Sequence, residues 1–203
     1  MTITAKDAFS IDVLNSSHPK IRQLRRQYPS KIHGNKLWSS SYLLMDYFSK
    51  NPLDKNTRVM EIGCGWGLAG LYLNKHFGCT VTAIDADANV FPYLQLHAEI
   101  NACDQPNTAI QRFEELTVDS FKNIDVLIAA DVCFWDDLTE VHSQLIDRAL
   151  QAGVSSIVYA DPMRPPFLTL LDECAEHYFA EGFQCEIALS RKVRGAIMLI
   201  ENA

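Results

Sequence analysis

The residues of this sequence with the clearest chemical potential form a glycine-rich segment, Glu61-Ile62-Gly63-Cys64-Gly65-Trp66-Gly67. An apolar run precedes the segment and Leu68 follows it, so the pattern predicts a strand, a tight turn and the start of a helix. Glycine adopts backbone angles that other residues avoid, and it lets a ligand approach the main chain closely. Free N–H groups at the start of the helix would face such a ligand. The segment therefore predicts a ligand-binding turn.

Two classes of ligand are compatible with this turn. The residues from Gly65 to Gly70 match the dinucleotide fingerprint G-x-G-x-x-G. The alternative pattern is E-x-G-x-G-x-G from Glu61, in which the carboxylate holds the amino-acid end of a zwitterionic ligand. A dinucleotide-binding strand normally ends in apolar residues, and a carboxylate close to a pyrophosphate would be repulsive. Glu61 therefore favours S-adenosylmethionine.

An aspartate ends the second predicted strand. Asp85 directly follows the apolar run 80–84. A carboxylate at this strand end can accept hydrogen bonds from both ribose hydroxyls, which either class of ligand requires. Asp85 therefore predicts a nucleoside without separating the two classes. The nearby Asp87 is better explained as the N-cap of the next helix.

Two further aspartates end predicted strands. Asp131 closes the fourth strand and Asp161 the fifth, so both should point into the crevice where open α/β sheets bind ligands. Carboxylates there would attract a cationic amine and orient it through hydrogen bonds. Asp136 and Asp137 are expected to begin a helix instead. We therefore interpret Asp131 and Asp161 as candidate catalytic residues for transfer of a group to an amine.

The elements that must position these residues follow from the hydrophobic pattern. Apolar runs predict strands at residues 58–62, 80–84, 108–111, 124–130 and 156–160. Amphipathic stretches predict helices at residues 68–77, 89–102, 138–151 and 167–180. Two last apolar runs, 183–189 and 195–200, are too close together for a parallel crossover, so the sheet should finish with an antiparallel strand. The pattern predicts an α/β fold with a doubly wound, mostly parallel seven-stranded sheet.

Residues 1–56 differ from this alternating pattern and are predicted to be helical. Pro19–Gln27 is a predicted helix that ends at Tyr28-Pro29, because the residue before a proline disfavours helix. A second helix is predicted from about Ser39 to a point before Asn51-Pro52. The sequence thus divides into an N-terminal helical segment, 1–56, and a core, 57–203, within one structural domain.

Composition limits the class of protein. The chain of 203 residues is 48% hydrophobic and 21% charged, as in an ordinary globular domain. A net charge of −7 argues against a nucleic-acid partner, and no apolar run reaches the length of a membrane span. Six cysteines without C-x-x-C spacing predict free thiols in a reducing compartment and no metal site. We therefore expect a cytoplasmic protein, and its oligomeric state remains open.

The motifs together resemble those of a known enzyme class. The turn from Glu61 to Gly67, Asp85, and the strand from Asp125 to Asp131 are similar to motifs I, post-I and IV of the class I, or seven-β-strand, methyltransferases. The predicted terminal hairpin matches the reversed last strand of that fold. The resemblance covers residues 57–203. It implies an S-adenosylmethionine-dependent methyltransferase with S-adenosyl-L-methionine as its cofactor.

The resemblance also implies cofactor-binding roles for individual residues. Trp38 would cover the ligand from the N-terminal segment, and the turn at Gly63, Cys64 and Gly65 would pass under its methionine part. Glu61 and Asp85 would hold its amino-acid end and its ribose. Phe113, just after the third strand, lies where adenine contacts are usual, and Ala130 would contribute backbone.

A narrower resemblance concerns the methyl acceptor. Leu37-Trp38-Ser39-Ser40-Ser41 and Asp161-Pro162-Met163-Arg164 are similar to segments of a protein-lysine methyltransferase group that includes the enzyme acting on the electron-transfer flavoprotein β-subunit. This implies a protein-lysine acceptor. Phe134, however, stands where that group has the tyrosine of a D-x-x-Y motif. A small-molecule amine acceptor therefore remains an alternative, and a non-catalytic or NAD-dependent nucleotide-binding protein is the least favoured one.

Overall fold

The computed structural model describes residues 5–30, 32, 34 and 36–202. The predicted segment 1–56 and core 57–203 both include positions outside these residues, and the division between them stays a prediction. The described residues form seven α-helices and seven β-strands. The helices are α1 Ala5–Phe9, α2 Pro19–Gln27, α3 Ser40–Lys50, α4 Leu68–Phe77, α5 Phe91–Asn101, α6 Asp137–Gln151 and α7 Pro165–His177. The strands are β1 Arg58–Ile62, β2 Thr80–Asp85, β3 Asn107–Ile110, β4 Val126–Ala130, β5 Ser156–Asp161, β6 Ala180–Ala188 and β7 Lys192–Glu201.

All seven strands form one sheet in the order β3-β2-β1-β4-β5-β7-β6. The strands β1 to β5 pair in parallel, whereas β7 runs antiparallel to both β5 and β6. The α/β fold with a doubly wound, mostly parallel seven-stranded sheet and a reversed last strand is therefore confirmed. The strand order reverses direction at β1, whose neighbours are β2 and β4. Such a reversal opens a crevice at the carboxyl ends of the strands, where ligands bind in sheets of this kind.

Helices cover both faces of the sheet. On one face, α3 buries Leu43, Leu44 and Met45 almost completely. On the other face, α6 buries Leu145 and Ile146. The central strands are apolar on both sides because both faces are covered, which explains their uninterrupted apolar runs. None of the described helices combines the length and the apolar character that crossing a bilayer requires.

The boundaries of α7 and β6 differ from the predicted ones. The helix begins at Pro165 rather than at residue 167, because proline is well suited to the first position of a helix. It ends at His177, and Tyr178 is already extended. Ala180 pairs with Ile200 of β7, so the strand begins where the amphipathic pattern still indicated helix.

Candidate functional site

A cavity of about 310 Å³ opens at the carboxyl ends of β1, β2 and β4. Seven predicted site residues line it: Trp38, Gly63, Gly65, Asp85, Phe113, Ala130 and Asp131. A second cavity of about 20 Å³ is lined by Glu61, Cys64 and other residues of the glycine-rich turn. Trp38, Gly63, Gly65 and Ala130 line both cavities. The two spaces are therefore adjoining parts of one site.

The glycine-rich turn has the backbone geometry for which glycine is needed. Gly63, Gly65 and Gly67 all have positive φ, at +58°, +53° and +67°. A Cβ on Gly65 would meet no atom within 4 Å, so the space above this residue is open. The side chain of Cys64 instead packs into an apolar cluster with Val90 and Leu94. Cys64 can therefore serve a ligand only through its backbone.

Asp85 connects the end of β2 to this turn. One carboxylate oxygen accepts a hydrogen bond from the Gly65 N–H at 3.0 Å, and the other accepts from the Asp87 N–H at 2.9 Å. Burial raises the pKa of Asp85 from its ordinary value, although these two N–H donors oppose the shift. Asp87 caps the following 3₁₀ turn by accepting from the Asn89 N–H at 3.1 Å, as expected. Asp85 is therefore fixed in orientation at the wall of the larger cavity.

Glu61 is buried beneath the turn, with 3% of its surface exposed. Its carboxylate accepts a hydrogen bond from the Gly70 N–H in the first turn of α4 at 3.0 Å. Burial raises the pKa of Glu61 to about 8, with a smaller contribution from the charge of Asp85, while the Gly70 N–H opposes the shift. A cation close to such a carboxyl group would favour its ionised form. The smaller cavity offers the position from which an ammonium group could do so.

The raised pKa of Glu61 makes stability depend on pH. Above about pH 4.5, the ordinary pKa of a glutamate, the unfolded chain releases the Glu61 proton, whereas the folded protein still holds it. The stability that protonated Glu61 contributes is therefore complete below about pH 4.5 and is lost as the pH rises toward about 8. Glu61→Gln cannot ionise, yet its side-chain carbonyl can still accept from the Gly70 N–H. We expect its melting temperature, relative to the wild type, to rise by about 2 °C or more between pH 5 and 8.

Thermal melts of the cofactor-free proteins across this pH range measure the effect. A difference between variant and wild type that stays constant with pH would contradict the prediction, because it would mean that Glu61 does not titrate within the range.

Asp131 follows β4 directly and adopts a left-handed backbone conformation with φ of +60°. Its carboxylate accepts hydrogen bonds from the Ser40 N–H at 2.9 Å and from Arg164 Nη2 at 2.8 Å. Aspartate and asparagine tolerate this conformation better than most residues do. The turn places a buried carboxylate at the wall of the larger cavity, next to Ala130.

Asp161 lies at the end of β5, outside the lining of both cavities. It is almost completely buried and accepts from Arg164 twice, from the backbone N–H at 2.8 Å and from Nη1 at 2.5 Å. Burial is the main cause that raises its pKa to about 6. Arg164 therefore bridges Asp131 and Asp161 with a single guanidinium group. The predicted catalytic role of Asp161 would have to act through this arginine.

Four aromatic side chains, Trp38, Phe113, Phe134 and Trp135, line the larger cavity. The rings of Trp38 and Phe134 make an edge contact at 5.0 Å, and the guanidinium of Arg164 lies over the Phe134 ring at 4.5 Å from its centroid. Trp135 lies at the rim and is partly exposed. Phe113 contacts the ring of buried His142 at 4.6 Å. This part of the lining is thus apolar, and the Arg164 guanidinium packs against it.

The sequence did not reveal three contacts that shape this site. The bridge from Arg164 to Asp131 joins positions far apart in sequence. The sequence had marked the segment from Asp161 to Arg164 as a family motif, but not its contact with Asp131. Trp66, which also lines the smaller cavity, stacks on Tyr93 and donates from Nε1 to the Gly34 carbonyl at 3.0 Å. Lys36 lines the smaller cavity with its ammonium over the Trp38 ring. The one sequence signal for this contact was the position of Lys36, two residues before Trp38.

The reversed last strand, the glycine-rich turn and the strand-end aspartates define a Rossmann-like methyltransferase. A family profile described as lysine methyltransferase matches residues 20–181. The chain belongs to this family. Membership confirms the predicted class of S-adenosylmethionine-dependent methyltransferases.

Individual proteins resemble this chain at low sequence identity. The chain is 24% identical over 168 residues to calmodulin-lysine N-methyltransferase of Arabidopsis thaliana, covering 74% of this chain and 54% of that protein. It is also 24% identical over 143 residues to methyltransferase-like protein 22 of Mus musculus, covering 59% of this chain and 36% of that one. The chain therefore spans about half or less of the length of these relatives.

Solved structures support the fold at lower identity. Magnesium protoporphyrin IX methyltransferase from Synechocystis PCC 6803, crystallised with bound S-adenosylmethionine, superposes with a TM-score of 0.59 at 14% identity. The match covers 94% of this chain and 87% of that one. At this level of identity, the similarity establishes a shared fold.

Proposed function

We propose that this protein transfers a methyl group from S-adenosylmethionine to the side-chain amine of a lysine in a protein substrate. The observation that carries this proposal is the carboxylate of Asp131 at the wall of the larger cavity, beside Ala130, which lines both cavities. Family membership and a calmodulin-lysine methyltransferase relative support a lysine acceptor. S-adenosylmethionine supplies an electrophilic methyl group when it is bound.

The residues of the site fit this cofactor. The open space above Gly65 and the positive φ of Gly63 and Gly65 leave the turn free of side chains where a ligand would pass. Asp85 can accept from ribose hydroxyls at the larger cavity. Glu61 can accept from an ammonium group at the smaller one. Trp38 and Phe113 supply apolar surface for the remainder of the ligand, as is usual in such pockets.

Asp131 would attract and orient the acceptor amine. A lysine amine has an ordinary pKa near ~10.4 and must lose its proton before it can attack. Asp131 already accepts from Ser40 and Arg164, so its carboxylate is held rigidly, and rigid placement is the main contribution a protein can make to such a displacement. Asp161 would hold the guanidinium of Arg164 in place and would thereby be a positioning residue.

The other candidate functions make different predictions. A small-molecule amine would need the same carboxylate but no docking surface outside the cavity. An NAD-binding protein is disfavoured, because Glu61 lies beneath the turn, where its ionised form would repel a pyrophosphate and its protonated form would still offer the wrong partner for an ammonium-free ligand. The six free thiols support a cytoplasmic compartment for the activity. Gly34 and Trp38 in the cavity wall support a covering role for the N-terminal segment.

Transfer of labelled methyl groups from S-adenosylmethionine into a cell lysate tests the proposal. We expect the label in protein, and mass spectrometry of the labelled band should locate it on lysine. Label found only in the small-molecule fraction would favour the amine alternative. An absence of label, together with binding of NAD in a calorimetric titration, would refute the methyltransferase assignment.

The role of Asp85 can be tested by binding alone. We expect Asp85→Ala to weaken binding of S-adenosylmethionine and S-adenosylhomocysteine by about tenfold or more, because hydrogen bonds to a charged acceptor are lost. Calorimetric titration measures both affinities. Asp87→Ala is the matched control, since Asp87 faces Ser30 and Asn89 instead of the cavity. Equal losses of affinity in the two variants would remove the ribose role of Asp85.

A further inference from the structure

Lys36 places a positive charge at the smaller cavity. Its Nζ lies 3.7 Å from the centroid of the Trp38 ring, and the residue lines the cavity. Within the described part of the chain, no carboxylate forms an ion pair with Lys36. The contact with the Trp38 ring is a weak one for an exposed lysine. The ammonium is therefore available to a stronger acceptor.

The ionisable groups around the smaller cavity match a zwitterion. Among the described residues that line it, Glu61 supplies the carboxylate and Lys36 the ammonium. A free amino acid, or the amino-acid end of a larger ligand, carries one group of each opposite charge. Glu61 would accept from the ammonium of such a group, since its carboxyl lines this cavity and an ammonium would favour its ionised form. That assignment leaves the carboxylate of the ligand to Lys36.

The size of the smaller cavity shows what binding would require. Its volume of about 20 Å³ is close to the space of one water molecule. A carboxylate needs more room than this, and movement of the Lys36 side chain off the Trp38 ring would provide it. Lys36 is exposed, and a lysine side chain is long and flexible, so it can change rotamer without a change in the backbone. The ammonium would then exchange a ring contact for a charge-assisted hydrogen bond, which is the stronger interaction.

We propose that Lys36 binds the α-carboxylate of the cofactor and so selects ligands with an intact amino-acid end. This inference rests on the proposed function, because it takes S-adenosylmethionine as the ligand. It adds Lys36 to the site as a specificity-determining residue. It also explains why two unlike cavities adjoin at Gly63 and Gly65: the larger would take the nucleoside, and the smaller the zwitterion.

Equilibrium binding of two ligands tests the proposal without any measurement of activity. S-adenosylhomocysteine has the amino-acid end, whereas 5′-methylthioadenosine lacks it. We expect Lys36→Met to weaken binding of S-adenosylhomocysteine by about tenfold and to leave binding of 5′-methylthioadenosine within about twofold of the wild type. Lys36→Arg should retain most of the affinity, because it keeps the charge. Lys122→Met, at an exposed lysine paired with Asp119, is the matched control and should change neither affinity.

Three outcomes with the Lys36 variants, and one with the wild-type protein, would overturn the proposal. Lys36→Met could weaken binding of both ligands equally, which would mean that Lys36 contacts the nucleoside or stabilises the turn. It could also leave both affinities unchanged, or Lys36→Arg could bind as poorly as Lys36→Met. Failure of the wild-type protein to bind S-adenosylhomocysteine would refute this inference and the proposed function together. If the difference between the ligands is found but no protein acceptor is methylated, the proposed function fails while the role of Lys36 stands.

Discussion

Gly63→Val is expected to reduce binding of S-adenosylhomocysteine by roughly a hundredfold or more, through backbone strain and a steric clash. Gly63 has φ of +58°, a conformation that a β-branched residue rarely adopts. A Cβ at this position would lie 2.8 Å from Val132 Cγ1 and 3.3 Å from Phe113 Cζ. Both of these side chains line the larger cavity. The substitution would therefore distort the turn and also push its neighbours into the ligand space.

Gly153→Val provides the matched control for strain alone. Gly153 follows α6, has φ of +89°, and a Cβ there would meet no atom within 4 Å. It lines neither cavity. Both variants should therefore melt at a lower temperature than the wild type, but Gly153→Val should bind with wild-type affinity. Calorimetric titration and thermal melts measure the two effects separately. Near-normal binding by a folded Gly63→Val protein would show that the ligand does not pass over this turn.

Local sequence patterns predicted the elements of the fold because their causes are local. The limits of α2 follow from Pro19 at its start and the Tyr28-Pro29 pair at its end, and the predicted and observed helices coincide. The reversed strand β7 followed from the short gap between the last two apolar runs, which permits only a hairpin. The boundary between α7 and β6 was less accurate, since the extended Tyr178 and the pairing of Ala180 with Ile200 depend on β7.

The partners of the charged site residues could not be predicted in the same way. The position of Asp131 at a strand end is a local property, but its contacts with Ser40 and Arg164 join residues brought together by α3 and β5. The sequence also placed Asp161 in the crevice as an equal of Asp131. In the fold, Arg164 pairs with its carboxylate, and Asp161 is connected to the cavity wall through Arg164 and Asp131. Spacing along a chain identifies which residue types end the strands; tertiary packing decides which of them face the ligand.

Asp131→Asn is expected to lower methyl transfer by about tenfold or more while changing cofactor affinity by no more than about twofold. Asparagine keeps the size of the side chain and tolerates the φ of +60° at this position. Its carbonyl oxygen can still accept from the Ser40 N–H. What is lost is the negative charge that would orient the acceptor amine and that now pairs with Arg164 at 2.8 Å. A fall in turnover with unchanged binding is the sign of an interaction made in the transition state.

The competing explanation is that Asp131 serves only to hold Ser40 and Arg164 together. Asp125→Asn is the matched control for the loss of an ion pair at the end of a strand. Asp125 precedes β4 at its opposite end and pairs with Arg58 at 2.5 Å, away from both cavities. A purely structural role predicts that both variants lose melting temperature and that Asp131→Asn loses affinity and turnover in parallel. A role in orienting the amine predicts that turnover falls selectively in Asp131→Asn, with an increased KM for the acceptor. Wild-type turnover in Asp131→Asn would exclude Asp131 from the chemistry, and the bridge from Asp161 to Arg164 would then be the next contact to break.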